Sequence, residues 1–120
     1  MKLRTGIIGI LGVIGLLTAL TGLLAPTKVI TGENFSATTL SNLRAYSGAG
    51  VVMALFALYS LSRKQFQDTA LIMLIINLGG WDIGQTISYF ADGKPNSFTI
   101  GSIVVQVLLI PFVWKALKSK

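Results

Sequence analysis

The sequence contains neither cysteine nor histidine, and these two gaps remove much of enzyme chemistry. Without cysteine there can be no disulfide, thiolate nucleophile or iron–sulfur ligation, and the redox compartment stays open. Without histidine there is no imidazole for haem, most zinc sites lose their usual ligand, and the common general base near neutral pH is missing. Charge is scarce too: 12% of the chain is charged and only four residues are acidic, against about 25% charged in a soluble domain. The net charge of +6 does not point to nucleic acid, because the basic residues form short clusters between apolar runs rather than a patch with interleaved aromatics.

Apolar residues are abundant, at 52% of the 120. A membrane-crossing helix needs about 20 predominantly apolar residues to traverse roughly 30 Å of hydrocarbon, and four segments qualify: about 5–25, 39–61, 68–91 and 97–117. The first carries no charge and ends at Pro26, where the helical ladder loses a donor. The second has Arg44 near its start, the third has Asp82 well inside, and the fourth is interrupted only by Pro111, where a kink is expected. Despite the basic Met1-Lys2-Leu3-Arg4 start, the first run exceeds the usual length of a signal-peptide core and has Pro26 at the place of cleavage, so it reads as a permanent anchor. Connections are short: roughly 26–37 with Gly32, Glu33 and Asn34, then Ser62-Arg63-Lys64-Gln65, then Asp92-Gly93-Lys94-Pro95-Asn96. Short links make sequential helices antiparallel neighbours. The expected architecture is all-α, a single domain over 1–120 built as an antiparallel four-transmembrane-helix bundle.

Orientation follows from basic residues beside the helix ends. Lys2, Arg4, Arg63, Lys64, Lys115, Lys118 and Lys120 fall on one side, while Lys28 and Lys94 fall on the other with Arg44 just inside it. Both termini and the middle connection are therefore expected to be cytoplasmic.

Helical periodicity then sorts the faces. Gly12, Gly15, Ala19, Gly22 and Ala25 form a stripe of small residues on the first helix; such a stripe serves dimerisation or, more commonly, close packing within the bundle. On the third helix, Ile72, Ile76, Ile83, Ile87 and Phe90 share one face, while Asn77, Trp81, Gly84, Gln85, Ser88 and Asp92 share the other. The isoleucine face should meet lipid. Asp82 flanks the polar face, and a carboxylate turned to hydrocarbon costs about 2.5–3.5 kcal/mol on the lenient insertion scale, so an inward position with a partner is expected. Apart from Lys115 at the cytoplasmic end of the fourth, Arg44 is the one cation inside a span; Gly48, one turn on, leaves room for its side chain, and an Arg44–Asp82 pair is predicted. Thr99, Ser102 and Gln106 add an inward polar stripe on the fourth helix. Arg44, Asp82, Gln85, Ser88, Ser102 and Gln106 are the candidate polar core, read as an interhelical clamp ahead of a ligand or ion site. Trp114 and the terminal lysines should anchor the interface.

Leu43-Arg44-Ala45 followed by Ser47, Gly48 and Gly50, and then Gly84-Gln85-Thr86-Ile87-Ser88 leading to Asp92-Gly93-Lys94-Pro95, resemble a family of small four-helix bacterial membrane proteins known as a domain of unknown function of the 4345 type. The resemblance spans most of the chain. It implies the topology and a bacterial inner membrane, and brings no established activity. In that family a basic residue often follows the third-helix glycine and an acidic one often lies in the fourth helix. Those places hold Gln85 and Gln106 here, which implies an amide pair where relatives have a charge pair.

The expected function is a non-enzymatic accessory or structural subunit, packed within a larger membrane complex or oligomer, with no catalytic residues, metal or cofactor. Its partners would be the lipid bilayer, other membrane subunits or itself, and a bound lipid or other hydrophobic ligand in a groove between helices. The alternative is a small oligomeric transporter or channel around Arg44 and Asp82. Against it, small multidrug exporters centre on a glutamate in the first helix, which this one lacks. Dual-topology fluoride channels need nearly balanced flanking charge.

Overall fold

A computed structural model describes residues 2–28 and 36–119. Among them are four long helices: α1 (Lys2–Leu24), α2 (Ala37–Ser60), α3 (Gln67–Asp92) and α4 (Ser97–Lys118), with single 3-10 turns at Pro26–Lys28 and Lys64–Phe66. All four are long and apolar enough to cross a membrane, as the composition required. Gly32, Glu33 and Asn34 of the first connection, with Met1 and Lys120, lie outside the described residues.

Local chemistry sets the helix ends. Ser36 Oγ accepts a hydrogen bond from Thr39 N–H at 3.1 Å, and Asn96 Oδ1 accepts one from Thr99 N–H at 2.9 Å. Each satisfies a first-turn donor that has no partner inside its helix. Gly93 ends α3 at φ 105°, a conformation an L side chain resists. α4 continues as one α-helix through Pro111. In α1, Thr18 and Thr21 donate to the Ile14 and Leu17 carbonyls, both at 2.9 Å. These bonds satisfy hydroxyls that lie on an exposed face.

The helices alternate in direction and pair as two hairpins, with α1 against α2 and α3 against α4 making the broadest contacts. α1 touches both α3 and α4, whereas α2 and α4 stand apart at opposite corners of a flattened bundle, 47 × 27 × 17 Å. The first hairpin interlocks through the small-residue stripe. A Cβ on Gly12 would stand 2.8 Å from Leu58 Cδ2, Gly15 faces Ala54, and a Cβ on Gly50 would stand 3.1 Å from the Cβ of Ala19. Gly22 is buried as well. The stripe is thus occupied within the monomer, where missing side chains let two backbones approach and gain dispersion contacts.

The closed core lies at one end, which we call the terminal end because α1 begins and α4 ends there. Ile8, Ala57, Ala70, Leu71, Val113 and Ala116 meet there from all four helices. Arg4 ties the same end together by pairing with Asp68 at the start of α3 and donating to the Leu117 carbonyl of α4 at 3.4 Å. At this end, too, Lys118 Nζ sits 4.9 Å from the Trp114 ring centre. The other end, the loop end, has no comparable core among the described residues. The isoleucine face of α3 is exposed as expected, rising to 82% at Phe90.

Candidate functional site

The polar side chains of the candidate core separate into three environments. Asp82 is buried, with 7% of its surface exposed, and neither carboxylate oxygen has a hydrogen-bond partner among the described residues. The anticipated Arg44–Asp82 pair is not formed: the ion pair among the described residues is Arg4–Asp68, and Arg44 is exposed. The reason lies in the rotation of α2. Gly48, one turn beyond Arg44, faces Leu23 of α1, so that side of α2 looks toward the first hairpin rather than toward α3. Tyr46, roughly opposite Arg44 at helical spacing, is the residue that meets α3, with its ring centre 5.1 Å from that of Trp81.

Ser88 also leaves the expected cluster. It is exposed, and its hydroxyl donates to Asp92 Oδ2 at 2.7 Å, one turn on along the same helix. Ser102 and Gln106 are joined, Gln106 Nε2 donating to Ser102 Oγ at 3.0 Å, while Gln106 Oε1 is buried without a partner. Counted from the α3–α4 turn, Asp82 and Gln106 sit at similar depth, about 15 and 13 Å along their helices. The amide pair implied by the family resemblance is absent as a direct bond. Gln106 turns to Ser102, and Gln85 lines a groove on the other side of α3 with its Oε1 unpartnered.

That groove is a feature that the sequence did not reveal. It is an open groove between α2 and α3 on the loop side of the core, with a volume of about 520 Å³. Tyr46 and Met53 of α2 form one wall; Met73, Asn77, Trp81 and Gln85 of α3 form the other, with Gly80 and Gly84 between them. A Cβ added at either glycine would meet nothing within 4 Å. Trp81 Nε1 is buried and lacks an acceptor among the described residues. The face of α3 read as polar and inward is therefore only half covered, because α2 makes only a narrow contact with α3: Asn77, Trp81 and Gln85 are half-buried, and Gly84, Ser88 and Asp92 are exposed.

Sequence reasoning also missed Arg4, whose side chain is 15% exposed and whose pairing with Asp68 links α1, α3 and α4. Its signal was present: two cations, Lys2 and Arg4, open α1, and a lone acid opens α3 on the same predicted side. A second, wholly different hollow of about 550 Å³ lies on the outside of the α1–α2 hairpin, floored by Gly6 and Gly9 and walled by Ile10, Val13, Leu58 and Leu61.

These features define a class: an all-helical chain whose four helices can each cross a membrane, with large apolar side chains outward and a few unpartnered polar atoms inside. The family is defined more narrowly. The model described as "Domain of unknown function (DUF4345)" matches residues 3–117, and the chain belongs to that family. No curated protein and no solved structure matches it.

Proposed function

We propose that the chain is a non-enzymatic accessory or structural subunit that packs, through the outer face of its first hairpin, against another membrane protein or a second copy. The observation that carries this reading is the hollow at Gly6 and Gly9. A Cβ on Gly6 would meet nothing within 4 Å, and one on Gly9 would only brush Leu61 Cδ1 at 3.9 Å. The stripe at Gly12, Gly15 and Ala19 is already occupied by α2, whereas these two glycines floor an open apolar trough. A neighbouring helix could approach the α1 backbone closely there and gain packing that lipid tails supply less well. The absence of cysteine and histidine from the sequence favours a packing role over acid–base or nucleophilic chemistry. The test is purification in mild detergent followed by native mass spectrometry. A co-purified subunit or an oligomer, released by Gly6→Leu and Gly9→Leu, is the expected result; monomer alone for every variant would end the reading.

Six of the nine Lys and Arg residues among the described ones lie at the terminal end, which supports our reading of cytoplasmic termini in a bacterial inner membrane. Labelling single cysteines placed at Ser119 and at Lys94 from either side of intact cells tests that orientation.

The buried carboxylate of Asp82, with Gln106 Oε1 at similar depth and also unpartnered, favours a second reading as a small oligomeric transporter or channel. Ionisable groups inside a membrane often mark solute paths. Flux into liposomes that falls in Asp82→Asn would support it, and equal flux in both proteins would remove Asp82 from any path.

A further inference from the structure

We propose that Asp82 is a proton-binding site that works as a latch between the two hairpins: its protonated carboxyl group closes the loop end, and loss of the proton to water parts α1–α2 from α3–α4 there. Leu71, Ile75, Leu78 and Asp82 recur at helical spacing on α3, so the carboxyl group continues the stripe that packs into the closed core. Val113, Leu109, Gln106 and Ser102 form the matching stripe on α4. Asp82 is 7% exposed. Both its oxygens, like Gln106 Oε1, are shut off from anything the size of water and receive no hydrogen bond among the described residues. A carboxylate in that position has neither donor nor countercharge. Acceptors without a donor call for a cation, and acceptors without free space admit only the smallest one. A proton needs no cavity, and its uptake turns the carboxylate into a neutral group that an apolar seam tolerates.

Among the described residues no other titrating group is buried in the seam. The loop halves of α1 and α4, residues 12–24 and 97–109, contain none. α2 contributes Arg44, which is exposed, and Tyr46, whose ring lies against Trp81 on the groove side; α3 contributes Tyr89 and Asp92, both exposed. Lys28 and Lys94, at the two ends of the loop side, are exposed as well. The hinge is built into the fold. Each hairpin is held by broad contact between its own helices, while contacts across the seam are narrow. What joins the hairpins gathers at the terminal end: the connection through Lys64–Phe66, the closed core, and Arg4, which pairs with Asp68 of α3 and donates to the Leu117 carbonyl of α4. Asp82 lies in the other half, about 15 Å along α3 from the α3–α4 turn. Parting the loop end therefore brings water to the carboxyl group while the terminal end stays clasped. One proton passes between Asp82 and water, and no other bond changes. The latch acts alike in a subunit and in a transporter.

Because the sequence has no cysteine, Thr27→Cys with Ser97→Cys puts one spin label on each hairpin at the loop end. Ser62→Cys with Ser119→Cys does so at the terminal end. Distances are read by double electron–electron resonance in phospholipid nanodiscs across a pH series. The loop-end pair is expected to gain a longer distance whose population, relative to the short one, rises about tenfold per pH unit, as loss of one proton requires. The terminal pair should stay fixed. Asp82→Asn cannot ionise and should keep the short distance at every pH, and Asp82→Leu repeats the test should the first variant not fold. Tyr46→Phe and Tyr89→Phe should retain the response. Infrared difference spectra give an independent readout: the carbonyl stretch of a protonated carboxylic acid, present in the short-distance state, lost on opening, and absent throughout from Asp82→Asn. A loop-end distance that ignores pH overturns the proposal, with or without that band. A response that survives in Asp82→Asn or vanishes in either tyrosine variant overturns it too, because the proton then belongs elsewhere. So does a distance that shifts with sodium at fixed pH, which makes the occupant a metal ion.

Discussion

Gly12 of α1 lies so close beneath Leu58 of α2 that a Cβ on the glycine would stand 2.8 Å from Leu58 Cδ2 and 3.0 Å from its Cγ. Atoms at those separations overlap, so Leu58 or the helix must move to admit a side chain. Gly12→Leu is expected to destabilise the protein by about 1–3 kcal/mol, the usual range for overpacking. Gly50→Ala meets the Cβ of Ala19 at 3.1 Å, an atom with no rotamer to escape into, and should also part the hairpin. Gly79→Ala, where nothing stands within 4 Å, is the control: it should be neutral or gain up to about 1 kcal/mol from helix propensity. Reversible unfolding by SDS in mixed micelles orders the three, and equal stability for Gly12→Leu and Gly79→Ala would contradict the interlock.

Gly93 provides a purely conformational test. Its φ of 105° lies in the region that L side chains resist, yet a Cβ there would meet nothing within 4 Å. Gly93→Ala should therefore lose stability through backbone strain alone, by about 1–2 kcal/mol. The same unfolding titration reads the loss. Full stability in Gly93→Ala would show that the α3–α4 turn adopts another conformation.

The Arg4–Asp68 pair should be worth less than its position suggests. Asp68 is 65% exposed, and such pairs couple by about 0.2–1 kcal/mol in double-mutant cycles. Arg4→Ala should cost more than Asp68→Ala, because the arginine is mostly covered and also donates to the Leu117 carbonyl. Raising salt should weaken the coupling. A cycle with Arg4→Ala and Asp68→Ala at low and high salt measures it, and identical losses for the two single variants would remove the Leu117 contact from the account.

Legibility in the sequence followed the range of the physics involved. Helix number, approximate ends and the lipid face of α3 depend on local apolar length and periodicity, so Ile76, Ile83 and Phe90 lie outward as their spacing implied. The stripe at Gly12 and Gly15 was readable as a close-packing face for the same reason, and Gln106 was readable as inward. Helix rotation was not readable, because it depends on which neighbour wins each face. α2 presents its Gly48 side to α1 and its Tyr46 side to α3, which moves Arg44 away from Asp82. Nor does spacing reveal how little of α3 is covered by α2, whose contact with it is much narrower than those within the two hairpins. The groove at Trp81 and the exposure of Ser88 both follow from it.

Asp82 gives the sharpest contrast between the two levels. From sequence alone, a clamp with Arg44 would make either single loss more damaging than the double loss. In the structure, Arg44 is exposed and the carboxylate has no hydrogen-bond partner among the described residues, so the two substitutions should act independently. A double-mutant cycle of Arg44→Gln and Asp82→Asn should then return a coupling within about 0.3–0.5 kcal/mol of zero. Asp82→Leu should go further and stabilise the fold by about 1–3 kcal/mol, since it replaces a buried group with no compensating bond by an apolar one. Stability that persists or rises, together with loss of any transport in liposomes, would mark Asp82 as a residue kept for function at the expense of packing. A strongly destabilised Asp82→Leu would instead reveal a partner for the carboxylate, and a large coupling in the cycle would identify it as Arg44.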